Sequence, residues 1–300
     1  MIDVCLPGTG GMVPLENRWL TCCWIEYQGS ATLIDCGEGT QIALKKAGCK
    51  ISRLDNLLIT HFHADHIAGL PGLLLTLGNN GKTTELNIVG GAGLAYVVDA
   101  LRIIAPALPY PVNLIELSNV QPSMITYKDV SISSLPLRHT LPCLGYRWSL
   151  SRKPVFAPQK AEALRIPKTL YRKLHSGCSV TLDDGRTIEP EMVLSGLRAP
   201  ITVCYCTDTQ PFDEMVDFVS GADLFIGEGM YFDSAMQDKM DEKGHMLFSD
   251  SAKIAKRANV KHLWLTHFSP ALTNPRQGTD EVCRIFPFTS VAYDGIRTSL

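Results

Sequence analysis

The stretch LLITHFHADHIAGLPGLLLTL, residues 57–77, restricts the fold more than any other part of the chain. A short apolar run ends at Thr60, and His61, His63, Asp65 and His66 follow within six positions. His61 and His63 are two apart and point to one side of an extended chain, whereas Asp65 and His66 come after a turn. Neutral imidazoles suit zinc, and a carboxylate makes the site harder. So tight a cluster supplies two half-sites rather than one closed tetrahedron. The remaining donors must arrive at the same rim from other strands.

Three later apolar runs stop in the same way. His139 follows SISSLPLR, Asp208 follows ITVCYCT and His267 follows HLWLT. Strand-end placement therefore predicts seven donors: His61, His63 and His139 for one metal, Asp65, His66 and His267 for a second, and Asp208 between them. Two ions about 3.5–4 Å apart would hold a shared hydroxide and clamp both oxygens of a displacement. His175 and His262 are left out, His262 being read as structural and inside its strand. Cys206 is read as a buried thiol. Asp35 ends an earlier strand, just before Gly37. It is read either as orienting the metal histidines or as a turn residue ahead of the Glu38 helix.

The runs on either side alternate between strand and helix patterns. TCCWIEY and ATLIDCG form a predicted hairpin, and EGTQIALKKAG a helix ended by Gly48. DNLLIT is a buried strand, IAGLPGLLLTLG one helix, ELNIVGG a strand and GLAYVVDALRII a helix. NLIEL, ITYKDVSISSLPL, LGYRWSL, ITVCYCTD and DLFIGEG read as strands, with PFDEMVDFVSG helical between the last two. SDSAKIAKRANV reads as a helix capped by Ser249, and KHLWLTHF as the final strand. Strands mixed with helices throughout favour α/β layers of mixed sheet over a doubly wound parallel sheet. The whole chain, 1–300, is expected to be one domain with an inserted arm at 151–198.

Composition excludes several classes. The chain is 45% hydrophobic and 19% charged, as in a compact globule. Its apolar runs are far shorter than the roughly 20 residues of a membrane span. Ten scattered cysteines without a CxxC pair, and no signal-peptide pattern, point to a reduced cytoplasmic protein. Net charge is −2, but residues 151–175 carry Arg152, Lys153, Lys160, Arg165, Lys168, Arg172 and Lys173 against Glu162 alone. A basic segment on an acidic body is an electrostatic footprint.

These motifs together resemble the metallo-β-lactamase superfamily and, more closely and nearly end to end, its RNase Z branch. GTGGMVPLENR resembles that family's opening turn, LIDCGEGTQ its second motif and THFHADHIAGLPGLL its zinc motif. RHTLPCLGYRW carries the later histidine, CTDTQP the aspartate, GHMLFSDSAKIAKRANVKHLWLTHFSP the closing block, and ALRIPKTLYRKLHSGCSVTLDDGRTIEP resembles the arm. The family's His-Glu-Ala-Thr is here Gly227-Glu228-Gly229-Met230, and its His-Ser-Thr is His245-Met246-Leu247. The resemblance implies a four-layer αβ/βα metallo-β-lactamase sandwich. It implies a phosphodiesterase with two zinc ions per chain (Mn²⁺ or Fe²⁺ as substitutes) that cuts the 3′ trailer from precursor tRNA. It also implies a homodimer whose arms grip RNA. Asp65, Glu228 and His245 are then the catalytic candidates, with His245, oriented by Glu228, as general acid. Lys160, Arg165, Lys168, Arg172 and Lys173 are the candidate RNA contacts. Three other readings stay open: hydrolysis of small phosphodiesters such as cyclic nucleotides, hydrolysis of lactams, thioesters or lactones, and a non-catalytic RNA- or protein-binding module.

Overall fold

A computed structural model describes residues 1–300. In chain order, the strands are β1 (Asp3–Gly8), β2 (Cys22–Tyr27), β3 (Ser30–Ile34), β4 (Leu54–Leu58), β5 (Leu86–Gly91), β6 (Val112–Leu117), β7 (Ser123–Tyr127), β8 (Val130–Leu137) and β9 (Cys143–Arg152). Four short pieces follow, β10 (Val155–Phe156), β11 (Val180–Thr181), β12 (Thr187–Ile188) and β13 (Leu194–Ser195). The last five are β14 (Arg198–Cys206), β15 (Leu224–Glu228), β16 (Leu263–Thr266), β17 (Thr289–Val291) and β18 (Ile296–Ser299). The helices are α1 (Thr40–Lys46), α2 (Ala64–Ile67), α3 (Leu70–Asn79), α4 (Leu94–Arg102), α5 (Pro158–Ala163), α6 (Tyr171–His175), α7 (Glu214–Val219), α8 (Gln237–Lys243), α9 (Phe248–Arg257) and α10 (Thr279–Ile285).

The chain forms two compact units. The larger takes residues 1–125, 132–148 and 202–300. Two seven-stranded mixed sheets run β18-β1-β2-β3-β4-β5-β6 and β17-β16-β15-β14-β9-β8-β7. Their central strands, such as β5, β15 and β16, are buried on both faces, as cover on both sides of a sheet requires. In β2, Cys22 and Trp24 join Leu33, Leu57, Leu44, Leu74 and Val98 in a core with α1, α3 and α4. The alternate residues Cys23 and Ile25 are equally buried but face the other way. In the second sheet, Cys204, Cys206, Phe225, Leu263 and Leu265 pack with Met215 of α7, Ala252 of α9 and Val282 of α10. The inner faces meet through hydrogen bonds: the Tyr146 hydroxyl donates to the Ile59 carbonyl at 2.7 Å, and Thr21 Oγ1 lies 2.8 Å from Thr266 Oγ1. This is the four-layer αβ/βα sandwich expected.

Register in the first sheet has a polar marker. Asn56, Asn87 and Asn113 are lateral partners on β4, β5 and β6, and their side chains hydrogen-bond in series at 3.1 and 3.0 Å. A slip of one residue would turn these amides to the other face. The ladder thus fixes where β4 ends and His61 begins.

Four local expectations are corrected. The helix after the histidine cluster is two helices, α2 and α3, separated at Gly69. The Gly69 N–H donates to the Cys36 carbonyl at 2.9 Å, and a Cβ there would sit 1.9 Å from the Gly37 oxygen, so the 36–37 turn occupies that space. Ser249 does not cap α9, whose cap is Leu247, two residues earlier; the Asp250 carboxylate accepts from the Leu247 N–H at 3.1 Å. KHLWLTHF is not the final strand, because β17 and β18 follow, and β18 pairs antiparallel with β1 from Asp3↔Ser299 to Leu6↔Ile296. His262 lies just before β16 and is exposed rather than inside the strand.

The smaller unit takes residues 126–131 and 149–201, so it extends past 151–198 on both sides and includes the turn at Lys128, whose φ is 54°. Its core is Ala161, Ile166, Leu174, Val180, Leu182, Ile188 and Val193, with Phe156 and Tyr171 packed on it at a ring separation of 4.9 Å. Lys160, Arg165, Lys168, Arg172 and Lys173 are all exposed on this unit, with Lys160 donating to the Leu194 carbonyl at 2.9 Å. All ten cysteines are free thiols.

Candidate metal centre

The seven predicted donors come together in the larger unit, at strand ends. His61 follows β4, His139 follows β8, Asp208 follows β14 and His267 follows β16. Asp208 and His267 hold left-handed backbones, with φ of 57° and 61°, as does Asp35 with 64°. Such angles cost energy in a non-glycine residue and cluster at functional sites. They turn the side chain off the strand and onto the rim. Gly11 permits the approach of one loop, since a Cβ there would lie 2.8 Å from His267 Nε2.

The donors form two trios. His61 Nε2 is 2.9 Å from His63 Nδ1, which is 3.2 Å from His139 Nε2. His66 Nε2 is 3.3 Å from His267 Nε2, and Asp65 Oδ2 lies 3.4 Å from each. Asp208 spans both trios: Oδ1 is 3.9 Å from His139 Nε2 and 3.5 Å from His267 Nε2, and Oδ2 is 3.3 Å from His66 Nε2.

The outer nitrogens fix the tautomers. His66 Nδ1 lies 2.8 Å from Asp35 Oδ2, and His267 Nδ1 lies 2.9 Å from Glu228 Oε1. A carboxylate accepts, so each Nδ1 carries the proton and each Nε2 turns a lone pair inward. His139 Nδ1 likewise donates to the Gly244 carbonyl at 2.9 Å. Asp35 also accepts from the Thr60 N–H at 2.8 Å. These are the carboxylate– and carbonyl–histidine pairs that hold metal-binding rings.

The Nε2 lone pairs of His66, His267 and His139 thus face inward, towards the Asp65 and Asp208 carboxylates. The buried Asp208 Oδ2 has no hydrogen-bond partner. Lone pairs at about 3 Å repel unless a cation sits among them. The proton equilibria register the same demand. Burial opposes charge on His267, yet Asp208, Asp65 and Glu228 push its pKa up to about 10. Burial likewise opposes a charged His66, but Asp208 and Asp35 raise it well above the ordinary range. For His61 burial wins, and its pKa falls well below the usual value. Asp65 is held far below the carboxylate range because hydrogen bonds from His267 and His66 outweigh burial. The residues present fit divalent cations.

Glu228 and His245 are adjacent as expected. Their separation is 2.6 Å from Oε1 to Nδ1, and Glu228 is fully buried. Burial disfavours the His245 cation, but Glu228 and Asp208 raise its pKa. The second Glu228 oxygen accepts from the Met246 N–H at 2.8 Å. Because that donor is backbone, Glu228 keeps its place although the residues around it differ from the family pattern. Sequence reasoning missed Thr60 and the Met12 N–H, which donates to Asp65 Oδ2 at 2.7 Å. It also missed Lys239 and Lys243, which line the cavity of about 590 Å³ over the donors. The one signal for these lysines was their four-residue spacing in QDKMDEK.

Fold and donor set define a metal-dependent hydrolase of the metallo-β-lactamase fold. Residues 185–268 match the β-lactamase superfamily domain and residues 2–89 match the anti-Pycsar protein Apyc1. A ribonuclease Z from Lachnospira eligens is 45% identical, covering 98% of this chain and 96% of its own; one from Agathobacter rectalis is 48% identical, covering 95% and 94%. The chain belongs to the ribonuclease Z family and is a metal-dependent endoribonuclease. Among solved structures, the short form of human tRNase Z superposes with a TM-score of 0.71 at 23% identity, over 99% of this chain and 98% of that one. A metallo-β-lactamase fold protein from Bacillus subtilis superposes with a TM-score of 0.70 at 20% identity over 99% and 98%. At those identities the superpositions speak for the fold.

Proposed function

We propose that the chain removes the 3′ trailer from precursor tRNA, with His61, His63 and His139 holding one zinc ion, Asp65, His66 and His267 a second, and Asp208 shared. The observation that carries this is Asp208, whose two oxygens reach both trios while Oδ2 is buried without a hydrogen bond. When bound, the ions supply an activated water at neutral pH and neutralise charge on the phosphate. Asp35 and Glu228 keep the His66 and His267 lone pairs turned inward. Asp65, pinned by the Met12 N–H, stays ionised beside the reacting phosphate. His245, its charged form stabilised by Glu228 at Nδ1, gives the proton on Nε2 to the departing ribose oxygen. Glu228 is a positioning residue in this scheme, since it acts through the two imidazoles.

The exposed cations of the smaller unit, Lys160, Arg165, Lys168, Arg172 and Lys173, are suited to the phosphates of the tRNA body, so affinity should fall steeply with salt. Phe156 and Tyr171 serve that unit's core rather than stacking on bases. The resemblance supports a homodimer, and the ten free cysteines suit the cytoplasm; no helix is long and apolar enough to cross a membrane. A second reading keeps the same site but takes small phosphodiesters. The cavity of about 590 Å³ over the donors falls within the size range of small-ligand sites. Incubating the zinc-loaded protein in parallel with a trailer-bearing precursor tRNA, a cyclic nucleotide and a chromogenic diester decides between them. Cutting at the trailer junction supports the proposal; small-diester turnover alone refutes it in favour of the second reading.

A further inference from the structure

One wall of the cavity is the donor set, with two carboxylates; the other is α8 and its neighbours. The helix reads QDKMDEK, three acids and two lysines. Its turn sorts them: only Lys239, Met240 and Lys243 line the cavity. Asp241 instead accepts from the Gln237 amide at 2.9 Å, and Glu242 meets Lys243 at 3.1 Å in a pair whose side chains are both more than half exposed. Exposed pairs of this kind are weak. Lys239 Nζ sits 5.8 Å from the centre of the Tyr231 ring, whose hydroxyl accepts from Ser269 Oγ at 2.6 Å. A helix that sends its cations into the site and its acids away from it is built for an anion.

We propose that Lys239 and Lys243 form a subsite for two successive phosphates of single-stranded RNA beside the scissile linkage; this rests on the endoribonuclease reading above. Residues four apart on a helix have Cβ atoms about 5–6 Å from one another. Stacked phosphates already repeat at about 3.4 Å of axial rise per strand, so an unstacked strand can span the two ammonium groups. Lysine binds phosphate as a point charge without choosing a base. The subsite therefore tolerates any sequence. The helix then ends at Gly244 and His245. Strand placement and the proton donor are consequently set by one element.

The test measures KM of the zinc-loaded full chain for a trailer-bearing precursor RNA between roughly 50 and 200 mM salt. Lys239→Gln and Lys243→Gln should each lower the slope of log KM against log salt by about 0.7, the single-strand value per phosphate contact. The double variant should lose both increments, and Lys→Arg at both positions should restore them. Zinc content and circular dichroism confirm that the variants are folded. An unchanged slope in the double variant, with wild-type cutting of RNA intact, overturns the subsite. A wild-type protein that cuts no RNA overturns the endoribonuclease reading instead.

Discussion

Replacing Asp35 by Asn should weaken zinc binding ten- to hundredfold while leaving the protein folded. Asp35 is fully buried and accepts from the Thr60 N–H at 2.8 Å, from Thr60 Oγ1 at 3.0 Å and from His66 Nδ1 at 2.8 Å. An amide oxygen can keep the Thr60 contacts. The amide nitrogen then faces His66 Nδ1, donor against donor. The ring escapes by moving its proton to Nε2, and the lone pair that faces Asp65 and His267 is lost. Loss of such a partner typically costs ten- to hundredfold in metal affinity, or about 1.4–2.8 kcal/mol. Backbone strain does not confound the result. The φ of Asp35 is 64°, and Asn adopts that left-handed region readily. Chelator competition reads the affinity, and thermal unfolding of the metal-free protein reads the fold. A folded variant whose zinc Kd stays within twofold of the parent would refute the tautomer argument.

Three further outcomes are expected. His245→Ala should lower turnover by roughly 10²–10⁴ with zinc content intact; unchanged turnover removes His245 from the mechanism. Gly69→Ala forces a Cβ to 1.9 Å from the Gly37 oxygen and should cost about 3 kcal/mol in urea unfolding; a loss under about 0.5 kcal/mol means the 36–37 turn yields. Burial pushes the Tyr110 phenol up to about 12, while its hydroxyl donates to the Leu74 carbonyl at 2.8 Å. The folded state holds that proton more tightly, so its contribution is complete below about pH 10 and lost towards pH 12, about 3 kcal/mol in all. Stability of Tyr110→Phe should be flatter over that window, and parallel curves would refute the assignment.

The sequence displays some parts of this architecture and hides others for physical reasons. His61, His139, Asp208 and His267 each end an apolar run, so each was visible where a buried strand meets the rim. The hairpin of β2 and β3 was visible because turn residues and alternation are local. Contacts such as Asp35 with His66, or Glu228 with His267, depend on how strands from distant segments align, and nothing local encodes them. The split between α2 and α3 was hidden because Gly69 reads as an ordinary helical residue until the 36–37 turn is seen against it. β17 and β18 escaped notice because strands of three and four residues acquire meaning only from their neighbours in the sheet.

The pairing of β18 with β1 has a bearing on synthesis. Ribosomes deliver β1 nearly the whole chain before the strand that covers its edge. Until then the nascent first sheet has an open row of donors and acceptors, a template for another chain. His267, too, reaches Asp65 across 202 positions. The HFHADH segment thus emerges able to touch metal but unable to enclose it. Assembly of the centre and closure of the sheet both await the second half of the chain, and the interval between is when a nascent molecule most needs shelter from its neighbours.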